Sequence, residues 1–136
     1  MTDRLDPDRR RKLMQKVKGK DTKPEKIVRS LLHRLGYRFR LHRKNLPGTP
    51  DIVFPSRHLA LFVHGCFWHG HGCRIGQLPK SRLDYWQPKI EANRDRDRHK
   101  EAALIAKGWR VAVVWQCELA DLDSLRDQLI RLLDQQ

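Results

Sequence analysis

The chain has 136 residues, 39% of them hydrophobic, which fits one domain with its own core and not comfortably two. Twenty-nine Lys and Arg against sixteen Asp and Glu give a net charge of +13, which favours a polyanionic partner through counterion release. Apolar runs such as residues 59–63 are too short to cross a bilayer, and Asp3, Arg4 and Asp6 stand where a secretory segment would be apolar, so membrane, disordered and secreted disulfide-scaffold classes are excluded.

The charge is uneven. Residues 118–136 carry −3 and the first 117 carry +16, so the C-terminal segment is expected to face away from the anionic partner. Residues 1–20 hold eight Lys and Arg against three Asp, and form either a DNA-contacting basic arm or a solvated basic helix. Asp6-Pro7 opens that helix, whose apolar face of Leu13, Met14 and Val17 is thin. Thr22-Lys23-Pro24-Glu25 has capping-box spacing, and Ile27, Val28, Leu31, Leu32 and Leu35 recur at helical spacing before Gly36 stops the helix.

Tyr37, Phe39 and Leu41 alternate with Arg38 and Arg40, the pattern of a half-buried strand. A turn over residues 46–50 leads into a short strand over 51–54, and Pro55-Ser56-Arg57 turns the chain into a stronger one over 58–64. Residues 65–72, rich in Gly, His and aromatics, form an ordered loop. A helix over 89–107 stopped by Gly108, a buried strand of Val111, Val113 and Val114, and an amphipathic helix through Leu122, Leu125, Leu129, Leu132 and Leu133 complete the chain. The order α-α-β-β-β-α-β-α predicts an α/β fold, a mixed central sheet flanked by helices, with an arm over 1–20 and a single domain over 21–136.

Asp51 follows Pro50 at the mouth of a strand. Alone, it is either a turn-capping aspartate or a hard oxygen ligand for Mg2+. In this element order the proline-aspartate resembles the nuclease superfamily named for its PD…(D/E)xK pattern, whose metal-binding acids sit on two adjacent strands. The second strand here ends Phe62-Val63-His64 and supplies neither the second acid nor the lysine.

Cys66, His69, His71 and Cys73 lie within eight residues, and Cys117 is the only other cysteine. Cys66, His71, Cys73 and Cys117 would give zinc three thiolates and an imidazole. The alternatives are apolar packing of Cys66 or Cys117, and a Cys66–Cys73 disulfide that a reducing compartment disfavours. With His71 as a ligand, His69 and His64 stay free, and an imidazole suits activation of a water that attacks phosphorus. Phe67 and Trp68 sit between Cys66 and His69, and Trp86 sits in a further loop beside Tyr85. Aromatics held on a basic protein stack on or wedge between bases, whereas Trp109 and Trp115 are assigned to the core.

Three stretches carry a closer resemblance: Leu46-Pro47-Gly48-Thr49-Pro50-Asp51; His64-Gly65-Cys66-Phe67-Trp68-His69 with His71 and Cys73; and Gly108-Trp109-Arg110-Val111 through Trp115-Gln116-Cys117-Glu118. Together, over about residues 14–119, they resemble the very-short-patch-repair DNA mismatch endonucleases of bacteria. The resemblance implies a restriction-endonuclease-like fold, catalytic Mg2+, structural zinc, and nicking of one strand 5′ to the thymine of a T:G mismatch left by 5-methylcytosine deamination. It implies Asp51 as the Mg2+ ligand, joined by the backbone of Val63, which stands where the family has threonine. His69 matches the general base, with Glu25, His64 and Asp97 at accessory active-site positions. Cys66, His71, Cys73 and Cys117 match the zinc ligands, and Phe67, Trp68 and Trp86 the intercalating wedge. Met14 matches a residue approaching from the opposite groove, and Asn93 a position near the mismatch; Asn93 and Asp97 also fit a solvated helix face.

The expected partners are double-stranded DNA with a T:G mismatch and mismatch-repair proteins, met by a monomer in the cytoplasm, at the nucleoid and away from membranes. A non-catalytic zinc-braced mismatch-binding protein shares the charge, the zinc and the wedge, and differs only at Asp51 and His69.

Overall fold

Thr22 caps the first helix, α1 (Lys23–Arg34), where its hydroxyl accepts the Glu25 N–H at 3.3 Å and Pro24 occupies the first turn. Val28, Leu31 and Leu32 are its buried apolar face. β1 (Arg40–Leu41) pairs antiparallel with β2 (Ile52–Phe54), which pairs antiparallel with β3 (Leu59–His64) across a 3₁₀ turn at Pro55–Arg57. α2 (Leu83–Ala106) then crosses over to β4 (Arg110–Trp115), which lies parallel to β3. A 3₁₀ turn at Gln116–Ala120 leads into α3 (Leu122–Asp134). The sheet order is β1-β2-β3-β4, a mixed sheet as the sequence predicts. The computed structural model describes residues 22–74, 76–78 and 81–134. The arm over 1–20, its helix and Met14 lie outside the described residues.

Strand alternation sorts the core into two layers. Ile52, Phe54, Leu59, Leu61 and Val114 face α1 and α3, and pack with Val28, Leu31, Leu32, Leu125, Leu129 and Leu133. Val53, Ala60 and Phe62 face the other way, against Leu46 and Leu104. His64 follows Ala60 and Phe62 in that alternation, and so emerges on the α2 side. Among the described residues no helix is long and apolar enough to cross a membrane.

Three elements differ from the sequence expectation. The strand expected over 37–41 contracts to Arg40–Leu41, because its partner β2 offers only three residues for pairing. Tyr37 and Phe39 still pack against the core without joining the ladder. β4 is an edge strand, so Val111 and Val113 are half-buried and only Val114 is buried. The long helix begins at Leu83, not Lys89, and therefore contains Trp86 and Pro88. Proline at the sixth helical position removes one N–H, while the turn before it is closed by the Tyr85 and Trp86 N–H groups bonding to the Arg82 carbonyl at 3.0 and 3.1 Å. Trp86 is thus a buried helical residue rather than a loop residue.

Candidate active site

The β2–β3 pairing sets the first part of the site. Asp51, one residue before β2, accepts the Val63 N–H through Oδ2 at 2.8 Å, which joins the mouth of one strand to the end of the next. Glu25, from the first turn of α1, is 1% exposed, and its carboxylate is held by His42 Nε2 at 2.9 Å and by Arg29 at 2.8 Å. One donor atom from each of Glu25, His42 and Asp51 lies within 4.8 Å of the others. Burial, followed by the nearby Glu25 charge and against the Val63 hydrogen bond, pushes the Asp51 carboxyl up to about 7. A carboxylate so raised is short of positive charge, and its hard oxygens beside Glu25 suit a small divalent cation.

The second part is an imidazole pair. The rings of His64 and His69 stack with centroids 3.8 Å apart and 1° between planes. His69 Nδ1 meets Asp97 Oδ2 of α2 at 2.6 Å. Burial pushes the Asp97 carboxyl up, but the hydrogen bond and charge of His69 outweigh it and the net direction is down. An ionised Asp97 fixes the His69 proton on Nδ1 and leaves Nε2 as the basic atom. Burial, and then the His69 charge, hold His64 down at about 4, so it stacks as a neutral ring. His64 Nδ1 is buried with no hydrogen-bond partner among the described residues. Glu25, Asp51, His64, His69 and Asp97 line one cleft of about 710 Å³ together with Lys100 and Gln116, and no residue of α3.

The third part is the thiol cluster. β3 and β4 run in parallel with His64 opposite Trp115, so two residues further along each strand Cys66 meets Cys117. The Cys117 N–H donates to Cys66 Sγ at 3.3 Å, and His71 Nδ1 lies 3.6 Å from Cys117 Sγ. Ligand atoms of Cys66, His71, Cys73 and Cys117 all fall within 4.8 Å of one another, and the three cysteines are unpaired. Burial pushes the Cys66 thiol up to about 12. At Cys73 burial also pushes upward, but hydrogen bonds from His71 and the Gly76 N–H outweigh it and bring that thiol to about 6. Strand register therefore closes the long sequence gap to Cys117, and three sulfurs with one imidazole form a donor set suited to zinc.

Between these two clusters stand the aromatics. Phe67, Trp68 and Trp86 form an edge-to-face triangle with centroids 5.1 to 5.9 Å apart, with Trp86 buried and the other two half-exposed. Asn93 of α2 donates to the Trp68 carbonyl at 2.8 Å and ties the loop to the helix. A Cβ at Gly70, whose φ is +64, would stand 2.6 Å from the Arg94 side chain and 2.7 Å from Ile90, so glycine lets the loop lie flat on α2. Trp109 is a half-buried core ring, while Trp115 packs on the site itself, stacked on His71 at 4.2 Å and edge-on to His64.

Of the residues assigned from sequence, Glu25, Asp51, Val63, His64, Trp68, His69 and Asp97 line one cleft, while Cys66, His71, Cys73 and Cys117 form a separate cluster. Sequence reasoning missed His42 and Lys100. His42 carries no motif, since it reaches Glu25 from a left-handed turn at φ +47. Lys100 had a signal: Asn93, Asp97 and Lys100 repeat at helical spacing and are half-buried, while residues 94–96 and 98–99 are exposed.

An acid at the mouth of one strand, hydrogen-bonded to the end of the next strand of a mixed sheet and sharing a cleft with a histidine pair, fits a nuclease of the restriction-endonuclease-like fold. A homing endonuclease catalytic domain shares that fold with a TM-score of 0.53 at 20% identity, over 82% of this chain and 93% of that one. The chain belongs to the DNA mismatch endonuclease Vsr family, whose model matches residues 2–75, and it is accordingly a DNA-cleaving hydrolase. It is 78% identical to type II nicking enzyme V.XorIIP of Xanthomonas oryzae pv. oryzae over 134 residues, 98% of each chain. It is 39% identical to DNA mismatch endonuclease Vsr of Escherichia coli over 130 residues, 96% of this chain and 83% of that one.

Proposed function

We propose that this endonuclease nicks one strand of duplex DNA 5′ to the thymine of a T:G mismatch, with Mg2+ in the Asp51 cleft and zinc in the Cys66–His71–Cys73–Cys117 cluster. The observation that carries this reading is continuity: residues 64–69 lead from the stacked imidazoles to the Phe67 and Trp68 rings and back. A base step opened by those rings lies beside the phosphate that the cleft receives. One copy of the chain holds the whole set, so a monomer suffices for a single-strand cut.

Asp51 and the Val63 backbone, with Glu25 nearby, would hold the Mg2+, which would supply Lewis acidity to the scissile phosphate. His69 Nε2 takes a proton from the attacking water while Asp97 stabilises the imidazolium that forms. The water oxygen bonds to phosphorus, one backbone P–O bond breaks, and the departing oxygen takes up a proton from a solvent water to leave as a hydroxyl. His64 stays neutral and keeps the His69 ring in place from one face. Phe67 and Trp68 discriminate because inserting rings costs a few kcal/mol of stacking, and that cost is lower at a poorly stacked T:G pair.

The test is a strand-resolved nicking assay with Mg2+ on duplexes that differ only in T:G against T:A. A cut confined to the thymine strand of the T:G duplex, 5′ to the thymine, supports the reading. Equal cutting of both duplexes, or cutting of both strands, refutes it.

A further inference from the structure

We propose that Lys100 binds the scissile phosphate and stabilises the charge that builds on it during nicking, a role resting on the reading that the DNA backbone enters the cleft. The cleft presents three carboxyl groups, on Glu25, Asp51 and Asp97, to a substrate that is itself an anion. The strand that carries Val63 and His64 offers no lysine to balance them. Arg29 is committed to Glu25, while Lys23 and Lys26 stand exposed at the rim. Lys100 lines the interior, and among the described residues it has neither an ion-pair partner nor a hydrogen bond.

Its placement is built rather than incidental. Lys100 stands three residues after Asp97 on α2, so helical spacing turns it to the face that carries the His69 partner. A Cβ at Gly48 would lie 2.7 to 2.8 Å from Cβ, Cγ and Cδ of Lys100, so the Lys100 stem lies directly on the Gly48 backbone. Gly48 has φ +76 and sits in the turn that delivers Asp51 to β2, so one turn sets the acid and grips the lysine. The positive charge of Lys100 acts on Asp51, His64 and Asp97 alike, lowering each, which locates it within reach of all three. A fixed cation aimed at developing phosphate charge acts on the transition state more than on the bound ground state.

Lys100→Met separates charge from packing, because methionine keeps an aliphatic stem on Gly48, and Lys100→Arg restores a cation. Single-turnover nicking of a T:G duplex by the full chain with Mg2+ gives the rate, metal-free titration gives the affinity, and thermal unfolding checks the fold. We expect Lys100→Met to nick about 100-fold more slowly with an unchanged melting temperature. Its affinity should fall by about threefold at most, since a single phosphate contact is lost. Lys100→Arg should recover about tenfold of the lost rate. A Lys100→Met rate within about threefold of wild type overturns the proposal, as does equal slowness of the Met and Arg variants, which marks a structural role. A wild-type chain that nicks no duplex fails the underlying reading; a wild-type chain that nicks, matched by Lys100→Met, fails only the proposal.

Discussion

Asp51 and His64 stand at the ends of strands whose other residues are almost wholly buried, whereas Phe67 and Trp68 lie on a loop with no strand or helix of its own. The acid is located by one backbone hydrogen bond and the register of β2 on β3, and the hydrophobic core enforces both. The rings are located by contacts that come from elsewhere: the thiol cluster at one end, Asn93 in the middle, and Trp86 below. A loop of this kind has few buried apolar groups to order it, so ordering must come from a local device. In the proposed reading the metal-binding acid rests on regular structure, whereas the general base His69 shares the braced loop with the recognition rings, so only the acid can be broken without touching that loop.

The largest separation is expected at the acid. Asp51→Asn should lower the nicking rate by about 1,000-fold or more, the scale of losing a metal ligand, while zinc content and mismatch affinity stay near wild type. Single-turnover rates and equilibrium titration check this, and full nicking by the variant would relocate the active site. Next comes the brace. Cys73→Ala should release the zinc, remove the preference for T:G over T:A duplexes and slow nicking, because His69 lies on the same loop, with the sheet still folded. Metal analysis of wild type and variant, with binding to both duplexes, tests it. A variant that keeps its discrimination without metal would show that the aromatic triangle orders the loop unaided.

The division between the two regions was largely legible in the sequence, and the reasons differ. The grouping of Cys66, His71 and Cys73, the Phe67 and Trp68 rings and Asp51 were legible because they fall in short local runs around residues 46–51 and 64–73. The meeting of Cys66 and Cys117 across fifty-one positions follows from parallel register, which no local pattern encodes. Trp86 was misplaced because Pro88 resembles a helix boundary, and the aromatic packing that lets the helix begin earlier is a tertiary effect. The Tyr37–Leu41 alternation described burial correctly at Tyr37 and Phe39 but not at Leu41, which is exposed, and it described pairing wrongly, since ladder length is set by the partner strand.

A smaller effect sharpens the electrostatic side of the comparison. Asp51 is raised to about 7 from an ordinary 3.8, so the Mg2+-free folded chain holds this proton more tightly than the unfolded one. Its stabilising contribution is complete below about 4 and is lost as pH rises to about 7. His64 is lowered to about 4 from 6.5, so its contribution is complete above 6.5 and is lost as pH falls to about 4. The two oppose each other over most of that window. Asp51→Asn removes the first alone, so the variant should gain stability relative to wild type as pH rises from about 4 to about 7. Urea unfolding of zinc-loaded, Mg2+-free protein at several pH values measures this, and a gap that is constant with pH would refute it.

The most direct test compares wild type, Asp51→Asn and Trp68→Ala on matched and T:G duplexes, measuring for each the ratio of the two affinities and the nicking rate at saturation. Asp51→Asn should keep the affinity ratio and lose the rate. Trp68→Ala should lose about 5- to 150-fold of the ratio, the ~1–3 kcal/mol of one stacked aromatic, with matched-duplex affinity unchanged because phosphate contacts dominate it. Its saturated rate should fall far less than that of Asp51→Asn. If Trp68→Ala weakens both duplexes equally, or Asp51→Asn loses the ratio together with the rate, then the acid and the recognition rings are not separable and the account is wrong.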